Sequence, residues 1–544
     1  MKPYISAPRY RPWVACAALV VLVLILFVWA PTNYAFYYSD APRHALNGAF
    51  ILDLVKAFPI HDPVQWAYNY YAQYPALTIL FYPPLYPAVL AVAYAILGVS
   101  QASAVVVNAL FYTALLIGSY RLACRYVDRI PAFFVAFLIG AAPEMAFWGR
   151  QIMTDVPATA AAVWAMELLL AYAVSHDRRV LWLGAAIAVV AVWLKITVCF
   201  LLPVLALGLV QIDGWAVWRR PRNLVMGCGV VLLMLPLLWL TIHFGQTNVQ
   251  SVTGVADGAT PRSSLSNWLW YARSLPLQLG WPVTAAVALG AVAGVVRVVR
   301  SRHLPAHWGL LAAWVVVGYL FFSTIDLKDP RFTIPLLPPF VLIGVWGVCW
   351  LFGARARWAG LLLAAIGAAT LITTLVYRPP LYVSGYAHIV KDVARLAPEN
   401  SNVVFSGYRD GAFIFAMRAI GHRPDVDTIR ADKMLLSIAI RRSTGVREKH
   451  LTRAQIGQEL TRQKAAYVVA QDDFWTDLTE MRRLQWVLHS PQFTPVAHYR
   501  MHANFNAPEK TITVYRNNAP LPAKRPPRSI DLPAIDRTVT QGKG

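Results

Sequence analysis

The sequence predicts an α-helical polytopic membrane protein of about eleven spans, followed by a C-terminal soluble α/β domain. Hydrophobic residues make up 58% of the 544 residues and charged residues only 14%, whereas soluble domains carry roughly 25% charged residues. Long apolar segments recur up to residue 377. Beyond that point, short strand and helix patterns of a water-soluble domain replace them.

Eleven apolar segments approach the length of about 20 residues that a helix needs to cross a bilayer. They are 13–30, 102–122, 132–148, 157–174, 180–196, 198–216, 224–244, 277–296, 307–323, 333–352 and 358–377. One further apolar run, Leu85 to Leu97, has only 13 residues between Pro84 and Gly98. At a rise of about 1.5 Å per residue it reaches roughly 20 Å, so we expect a re-entrant or interfacial helix.

The basic residues indicate the topology. If 85–97 does not cross, six segments on one side hold 16 Lys and Arg: the N-terminus, 121–129, 175–180, 217–223, 297–302 and 353–357. The other side, without the C-terminal domain, holds eight. Because Lys and Arg accumulate in cytoplasmic loops, we expect a cytoplasmic N-terminus and an external C-terminal domain. The net charge of +22 therefore reflects membrane topology and not a nucleic-acid groove.

Three regions are expected: a membrane-embedded domain at 1–377, an external α/β domain at 378–517, and a disordered, basic, Pro-rich tail at 518–544. The run 13–30 has no small-residue cleavage pattern before its end and is expected to stay as the first span. Predicted strands are Val403–Phe405, Ala466–Val469 and Thr511–Tyr515; predicted helices are Ile389–Leu396, Lys433–Ile440 and Arg453–Gln463.

Charged residues collect at the predicted outer ends of the spans. Asp40 follows the first span, and Arg150 and Asp155 lie in the short loop before the fourth. Lys195 ends the fifth span and Arg331 precedes the tenth. A carboxylate can take the proton of an acceptor hydroxyl, and Lys and Arg hold phosphate groups. This combination is what a phosphate-bearing lipid substrate requires.

Each of these residues also has a structural interpretation. Asp40 and Asp155 can cap helices, and Lys195 can extend along its helix to the interface. Arg331 can pair with the acid in its own Lys-Asp-Pro-Arg run, and Arg150 can anchor the chain at the interface. The residue types alone leave both interpretations open.

The order of the motifs resembles the GT-C superfamily of lipid-phosphate-sugar glycosyltransferases. The nearest resemblance is to bacterial relatives of protein O-mannosyltransferases and of the transferase that adds aminoarabinose to lipid A. The motifs are the acid Asp40, Pro-Pro-Leu at 83–85, Thr-Asp-x-Pro at 154–157, Leu-Lys at 194–195 and Arg-Phe-x-x-Pro-Leu-Leu-Pro at 331–338. The resemblance covers about residues 13–377.

The resemblance implies an inverting transfer of a sugar from a polyprenyl-phosphate donor to a lipid, glycan or protein acceptor, at the external face of the bacterial inner membrane. The implied site has two catalytic acids, three phosphate-binding cations and two aromatic contacts to sugar or lipid: Asp40 and Asp155; Lys195, Arg331 and Arg150; Tyr38 and Tyr82. In this reading Asp40 is the general base, and Asp155 orients the acceptor or the surroundings of Asp40.

Two departures from the family pattern limit what is carried over. The family often has Asp-Glu after the first span, but Ala41 follows Asp40. This weakens the case for a divalent metal, and we expect no required cofactor. Near relatives of the lipid A enzyme often have Lys before Pro-Pro-Leu, where this chain has Tyr82. Lipid A specificity is therefore not implied.

Two other functions remain open at this point. A transporter or flippase for a lipid-linked glycan would need polar residues along a path at mid-membrane, whereas the ionisable groups here collect at one interface. An O-antigen-type polymerase or ligase would share the transfer chemistry but use a pyrophosphate carrier.

The topology can be tested with reporter fusions at Asp128 and Asn400. We expect a cytoplasmic signal from the first and an external signal from the second, because only this arrangement obeys the charge bias. Signals from the same side of the membrane would rule out the eleven-span topology.

Overall fold

A computed structural model of the protein describes residues 12–245, 261–302, 305–438, 442, 445–526, 529–532 and 537–540. The basic N-terminal cluster that entered the charge count lies outside these residues. In the membrane part the α-helices are Pro12–Phe27, Asp40–Ala57, Pro63–Gln73, Leu85–Leu97, Gln101–Ala123, Arg129–Ala141, Pro143–Gly149, Asp155–Ser175, Arg178–Leu194, Leu201–Asp213, Pro221–Phe244, Leu265–Leu279, Trp281–Ser301, Ala306–Ser323, Leu337–Phe352 and Ala356–Tyr377. Short 3-10 helices at Ile196–Phe200, Trp215–Arg219 and Pro330–Leu336 lie between them.

The fold class predicted from the sequence is confirmed, but the number of spans is not. Among the described helices, eight are long and apolar enough to cross a membrane, or nine if one bent pair forms a single span. Pro12–Phe27 has 16 residues and Arg178–Leu194 has 17. Both are therefore shorter than 18 residues, the length required of each of the eight helices.

The predicted span 132–148 is bent. Helix 129–141 ends at Ala142, and helix 143–149 begins with Pro143 at an angle of 60°. Proline pushes the residue before it out of the helical region, and Ala142 accordingly has ψ 132°. The bend gives helix 143–149 its own direction, and it packs against the 3-10 helix Pro330–Leu336.

The segment between the first and second predicted spans is largely helical. Helix Leu85–Leu97 has the 13 residues predicted for it and packs against helix Asp40–Ala57. Gly48 permits the close approach, because a Cβ there would lie 2.6 Å from a side-chain carbon of the facing helix. Asn47 fixes the connecting loop, since its Oδ1 accepts a 2.9 Å hydrogen bond from the backbone N–H of Thr78. Helix Asp40–Ala57 is thereby held in place on its membrane side.

The C-terminal region contains the predicted strands. The strands are β1 Val383–Ser384, β2 Asn402–Ser406, β3 Asp427–Arg430, β4 Leu436–Ile438, β5 Val446–Glu448, β6 Ala465–Gln471, β7 Phe493–Arg500, β8 His502–Ala503, β9 Thr511–Asn517, β10 Ser529–Leu532 and β11 Arg537–Thr540. Five of them form a mixed sheet of order β3-β2-β6-β9-β7, in which β2 is parallel to β3 and β6 and β9 is antiparallel to its neighbours. The helices here are Tyr386–Leu396, Asp410–Ala416, Ala431–Leu435, Arg453–Arg462 and Thr479–Leu488.

Two sequence predictions differ from this structure. The predicted helix Lys433–Ile440 ends at Leu435, and β4 follows and pairs with β5. In β4 the outer two residues are buried and Ser437 is exposed, a period of two that belongs to a strand; residues 439 and 440 lie outside the described part. In the tail, predicted to be disordered, the described strands β10 and β11 form an antiparallel pair rich in β-branched residues.

The C-terminal domain packs directly on the segment that follows the first helix. Val383 donates a 3.2 Å backbone hydrogen bond to Phe36, whose ring lies 5.9 Å from that of Phe415. Arg418 holds the carboxylate of Asp53 with two hydrogen bonds, one of 2.6 Å from Nε. Buried side chains of both parts belong to one apolar cluster. The domain therefore packs on the segment that links the first two helices of the membrane part.

Candidate active site

Four predicted charged residues lie where helices begin or end. Asp40 and Asp155 are the first residues of α-helices. Lys195 separates an α-helix from a 3-10 helix, and Arg331 is the second residue of another 3-10 helix. A helix N-terminus favours a carboxylate because its free N–H groups carry a partial positive charge. The local structure therefore favours the two acids. Neither cation lies within an α-helix.

Asp155 and Lys195 form a buried ion pair. Lys195 Nζ contacts Asp155 Oδ1, and the aspartate side chain is almost wholly inaccessible. Asp155 Oδ2 is buried without a hydrogen-bond partner among the described residues. The ammonium group also lies 5.8 Å from the ring of Phe332. Asp155 thus neutralises and orients Lys195, while two N–H donors of the ammonium remain for another anion.

Arg331 is buried among aromatic rings and acids. Its guanidinium lies 4.6 Å from the ring centre of Tyr38 and 5.5 Å from that of Trp148. Its Nε is 3.3 Å from Asp329 Oδ2, and its Nη1 is 3.9 Å from Asp40 Oδ2. Both distances exceed those of good charge-assisted hydrogen bonds, and Nε has no hydrogen-bond partner in the described structure. Arg331 therefore has its charge balanced but its donor capacity incompletely used.

His44 lies near these four charged residues, and no role was predicted for it from the sequence. Its ring lies 4.4 Å from that of Tyr82, and its Nδ1 is buried without a hydrogen-bond partner in the described part of the chain. Burial lowers the pKa of His44 from 6.5 to about 4, and the charges of Asp40, Asp155, Arg331 and Lys195 also act on it. All four charged residues therefore lie near enough to one neutral imidazole to affect its pKa. The spacing of four residues from Asp40, which puts both on one helix face, was the signal for it.

The two predicted aromatic contacts lie at the same site. Tyr38 stacks under Arg331, and its ring meets that of Trp148 edge-on at 5.3 Å. Burial raises the pKa of Tyr82 well above 10, and Asp40 adds to the rise. Trp148 was not predicted, because it reaches the site only through the bend before Pro143. Together these rings form an apolar wall beside the charges.

Arg150 donates hydrogen bonds to two backbone carbonyls, and its role in phosphate binding stays a prediction. Its Nε donates a 2.8 Å hydrogen bond to the carbonyl of Ala146, and its Nη2 donates one of 3.1 Å to the carbonyl of Arg378. The side chain is buried in that setting. It links the bent helix to the segment that leads into the C-terminal domain.

A divalent metal has no evident multidentate site in this region. Among the residues that the structure describes, no group of three or more His, Cys, Asp or Glu side chains is placed to hold a metal ion.

The chain is similar to known proteins in part of its sequence and in its fold. Residues 82–239, which include Asp155 and Lys195, match the family described as dolichyl-phosphate-mannose-protein mannosyltransferase. The structure is similar to ArnT from Cupriavidus metallidurans bound to undecaprenyl phosphate, with a TM-score of 0.59, 15% identity, and coverage of 92% of this chain and 98% of that one. The chain has the GT-C fold. The resemblance predicted from the motifs is thereby confirmed.

The GT-C fold also relates the chain to an archaeal enzyme. It is similar to the oligosaccharyltransferase of Archaeoglobus fulgidus in the apo form, with a TM-score of 0.57, 12% identity, and coverage of 95% of this chain and 75% of that one. The archaeal oligosaccharyltransferase AglB in complex with an inhibitory peptide and a dolichol-phosphate gives a TM-score of 0.55 at 13% identity, with coverage of 94% and 75%. Among curated protein sequences, none matches the chain.

The buried neutral His44 predicts a pH-dependent stability. Because its folded pKa of about 4 lies below the ordinary 6.5, the unfolded chain gains a proton between these values that the folded protein does not. Its contribution to stability is complete above pH 6.5 and is lost as the pH falls toward 4. At pH 5 we expect His44 to cost about 2 kcal/mol of the stability present at pH 7.

The measurement is the difference in melting temperature between pH 7 and pH 5. His44→Gln should show a smaller difference than the parent protein, and His61→Gln, a change at an exposed loop residue, should not. Equal differences in the parent and His44→Gln would contradict the buried neutral state.

Proposed function

We propose that the protein is an inverting glycosyltransferase that moves a sugar from a polyprenyl-phosphate donor to an acceptor at the external membrane face. The observation that carries this proposal is the buried Arg331 guanidinium, which lies 3.9 Å from Asp40 and 3.3 Å from Asp329 and whose Nε makes no hydrogen bond to a described residue. The same site then holds a carboxylate that can accept the proton of an acceptor hydroxyl and a cation that can bind the departing phosphate. The GT-C fold supports glycosyl transfer as the reaction class.

Asp40 serves as the general base in this proposal. Its side chain is 24% exposed, so an acceptor hydroxyl can reach it. The carboxylate takes the hydroxyl proton while the hydroxyl oxygen forms a bond to the anomeric carbon. The bond from that carbon to the phosphate oxygen breaks, and its electron pair leaves with the lipid phosphate. Attack opposite the leaving group inverts the configuration.

The cations act on the leaving group. The phosphate gains one negative charge as the glycosidic bond breaks, so Arg331 and Lys195 bind it more tightly in the transition state than in the donor. Asp155 holds Lys195 in place through the ion pair. ArnT bound to undecaprenyl phosphate and AglB with a dolichol-phosphate are structural neighbours of the chain, and they support this class of lipid.

The sugar is proposed to lie against the aromatic wall. Tyr38, Tyr82 and Trp148 offer flat apolar faces next to the charged groups. His44 is neutral at pH 7 and buried, with an Nδ1 that lacks a partner in the described chain. It can form a hydrogen bond with a sugar hydroxyl without adding charge to the site. We place the protein in the bacterial inner membrane, with this site and the C-terminal domain on the periplasmic side.

Lipid extracts of a strain that lacks the gene test the function. Mass spectrometry should detect an accumulating polyprenyl monophosphate that carries one sugar, and expression of the protein should remove it. Accumulation of a pyrophosphate-linked glycan would point to the polymerase or ligase alternative instead. An unchanged lipid profile would contradict a transferase that uses such a donor.

Arg331→Ala and Lys195→Ala should each weaken the binding of undecaprenyl phosphate to the purified protein by about tenfold or more. Each change removes a charge-assisted contact worth about 1.5–3 kcal/mol. The measurement is a titration in detergent, accompanied by a melting temperature. Lys56→Ala removes one exposed positive charge from the helix that also carries Asp40, and it should leave the affinity unchanged. Parent-like affinity in both Arg331→Ala and Lys195→Ala would exclude the phosphate-binding roles.

Asp40→Asn should lower turnover by about two orders of magnitude, the usual effect of losing a general base. The amide retains the size of the side chain but not its basicity, so binding of undecaprenyl phosphate should survive. The assay follows loss of the accumulated donor in solubilised membranes of the deletion strain, per folded molecule added. Asp62→Asn is the control, since Asp62 caps helix Pro63–Gln73 and an asparagine can do the same. Near-normal turnover in folded Asp40→Asn would assign the base elsewhere.

A further inference from the structure

The N-terminus of the helix that carries Asp40 is bound from the C-terminal domain. Arg43 lies one turn into this helix and donates a 2.7 Å hydrogen bond from Nη1 to the carbonyl of Ser39, the residue directly before Asp40. Its Nη2 donates to both carboxylate oxygens of Asp410, at 3.0 and 2.9 Å. A continuous chain of contacts therefore runs from Asp410 through Arg43 to the backbone at Asp40.

Asp410 is itself held firmly. Its side chain is 10% exposed and accepts a second guanidinium, with Arg430 Nη1 at 2.8 Å. Arg430 in turn pairs with Asp432 at 2.6 Å. Burial raises the pKa of Asp410, but Arg43 and Arg430 outweigh this effect and lower it. The carboxylate is thus ionised and held by Arg430 of its own domain as well as by Arg43.

The backbone at Gly411 also lies close to side chains of helix Asp40–Ala57 at this point. A Cβ on Gly411 would lie 3.0 Å from Pro42 and 3.1 Å from Arg43 Nη1. The turn that carries Asp410 therefore rests on the first turn of helix Asp40–Ala57, without room for a side chain between them. Little freedom is left for Arg43 to change its contacts.

A second ion pair joins the same two elements without reaching the site. Arg418 binds Asp53 through two hydrogen bonds, and both side chains are about as buried as Arg43 and Asp410. Asp53 lies more than three turns along the helix from Asp40. Loss of this pair weakens docking of the domain but removes no contact to Ser39.

We propose that Asp410 is a positioning residue for the reaction, which fixes the Asp40 carboxylate opposite Arg331 through Arg43 and the Ser39 carbonyl. The proposal rests on the proposed function of Asp40 as base. It gives the C-terminal domain a direct part in the chemistry although no described residue of that domain needs to touch the substrate.

The test measures kcat and the donor KM of full-length variants on solubilised membranes of the deletion strain, which supply both substrates. Asp410→Asn should lower kcat by about tenfold, since small displacements of a reacting group have effects of this size or larger, and should leave KM within about twofold. Asp53→Asn makes the same chemical change in the second pair and should leave kcat unchanged at a comparable shift in melting temperature. Equal losses of kcat in both variants would reduce Asp410 to a docking contact and overturn the proposal.

The double variant Asp40→Asn/Asp410→Asn identifies the route of the effect. It should turn over no more slowly than Asp40→Asn alone, because a base that is already absent cannot be misplaced; a further loss would overturn the proposal. Should Asp410→Asn not fold, Arg43→Lys retains the charge but loses the fork that binds Ser39 and Asp410 together, and the same fall in kcat is expected. Normal turnover in Asp410→Asn with slow Asp40→Asn rejects the positioning role alone, whereas normal turnover in Asp40→Asn rejects the proposed base as well.

Discussion

An arginine keeps its proton at any physiological pH, so a buried arginine imposes its charge on everything around it. Arg331 is such a residue, and its neighbours follow from that constraint. Asp329 and Asp40 supply negative charge at 3.3 and 3.9 Å, and the rings of Tyr38 and Trp148 supply π-faces. These groups come from separate elements of the fold. Three elements meet at this guanidinium: the helix that begins at Pro143, the 3-10 helix Pro330–Leu336 and the start of helix Asp40–Ala57.

The sequence predicts the parts of this site that depend on local pattern. Apolar length and basic loops place Asp40, Asp155, Lys195 and Arg331 near one interface, and in the structure the charges of all four act on the pKa of one imidazole. It does not reveal which cation is free for a ligand. Arg150 has the same chemistry as Arg331, but its Nε and Nη2 donate to two backbone carbonyls. Such partners cannot be predicted from residue types.

The remaining differences have similar causes. The eleven predicted spans rest on apolar length, but a proline breaks one of them and two others are short. In the C-terminal domain the strands were predictable from their β-branched runs, whereas β4 is too short for its alternation to stand out from the preceding helix. His44 and Trp148 become site residues only through helix packing and the bend. Local chain breaks and short elements explain the spans and β4, whereas tertiary packing explains His44 and Trp148.

The contact between Arg43 and Asp410 joins residues 367 positions apart. At a synthesis rate of about 5–20 residues per second, Arg43 precedes its partner by on the order of 20–70 s. During that interval the surface of helix Asp40–Ala57 that the C-terminal domain will bury remains uncovered. A nascent or truncated chain therefore presents exposed aromatic side chains and an unpaired cation to quality control. The same arrangement means that helix Asp40–Ala57 reaches its final position only after about three-quarters of the chain has been made.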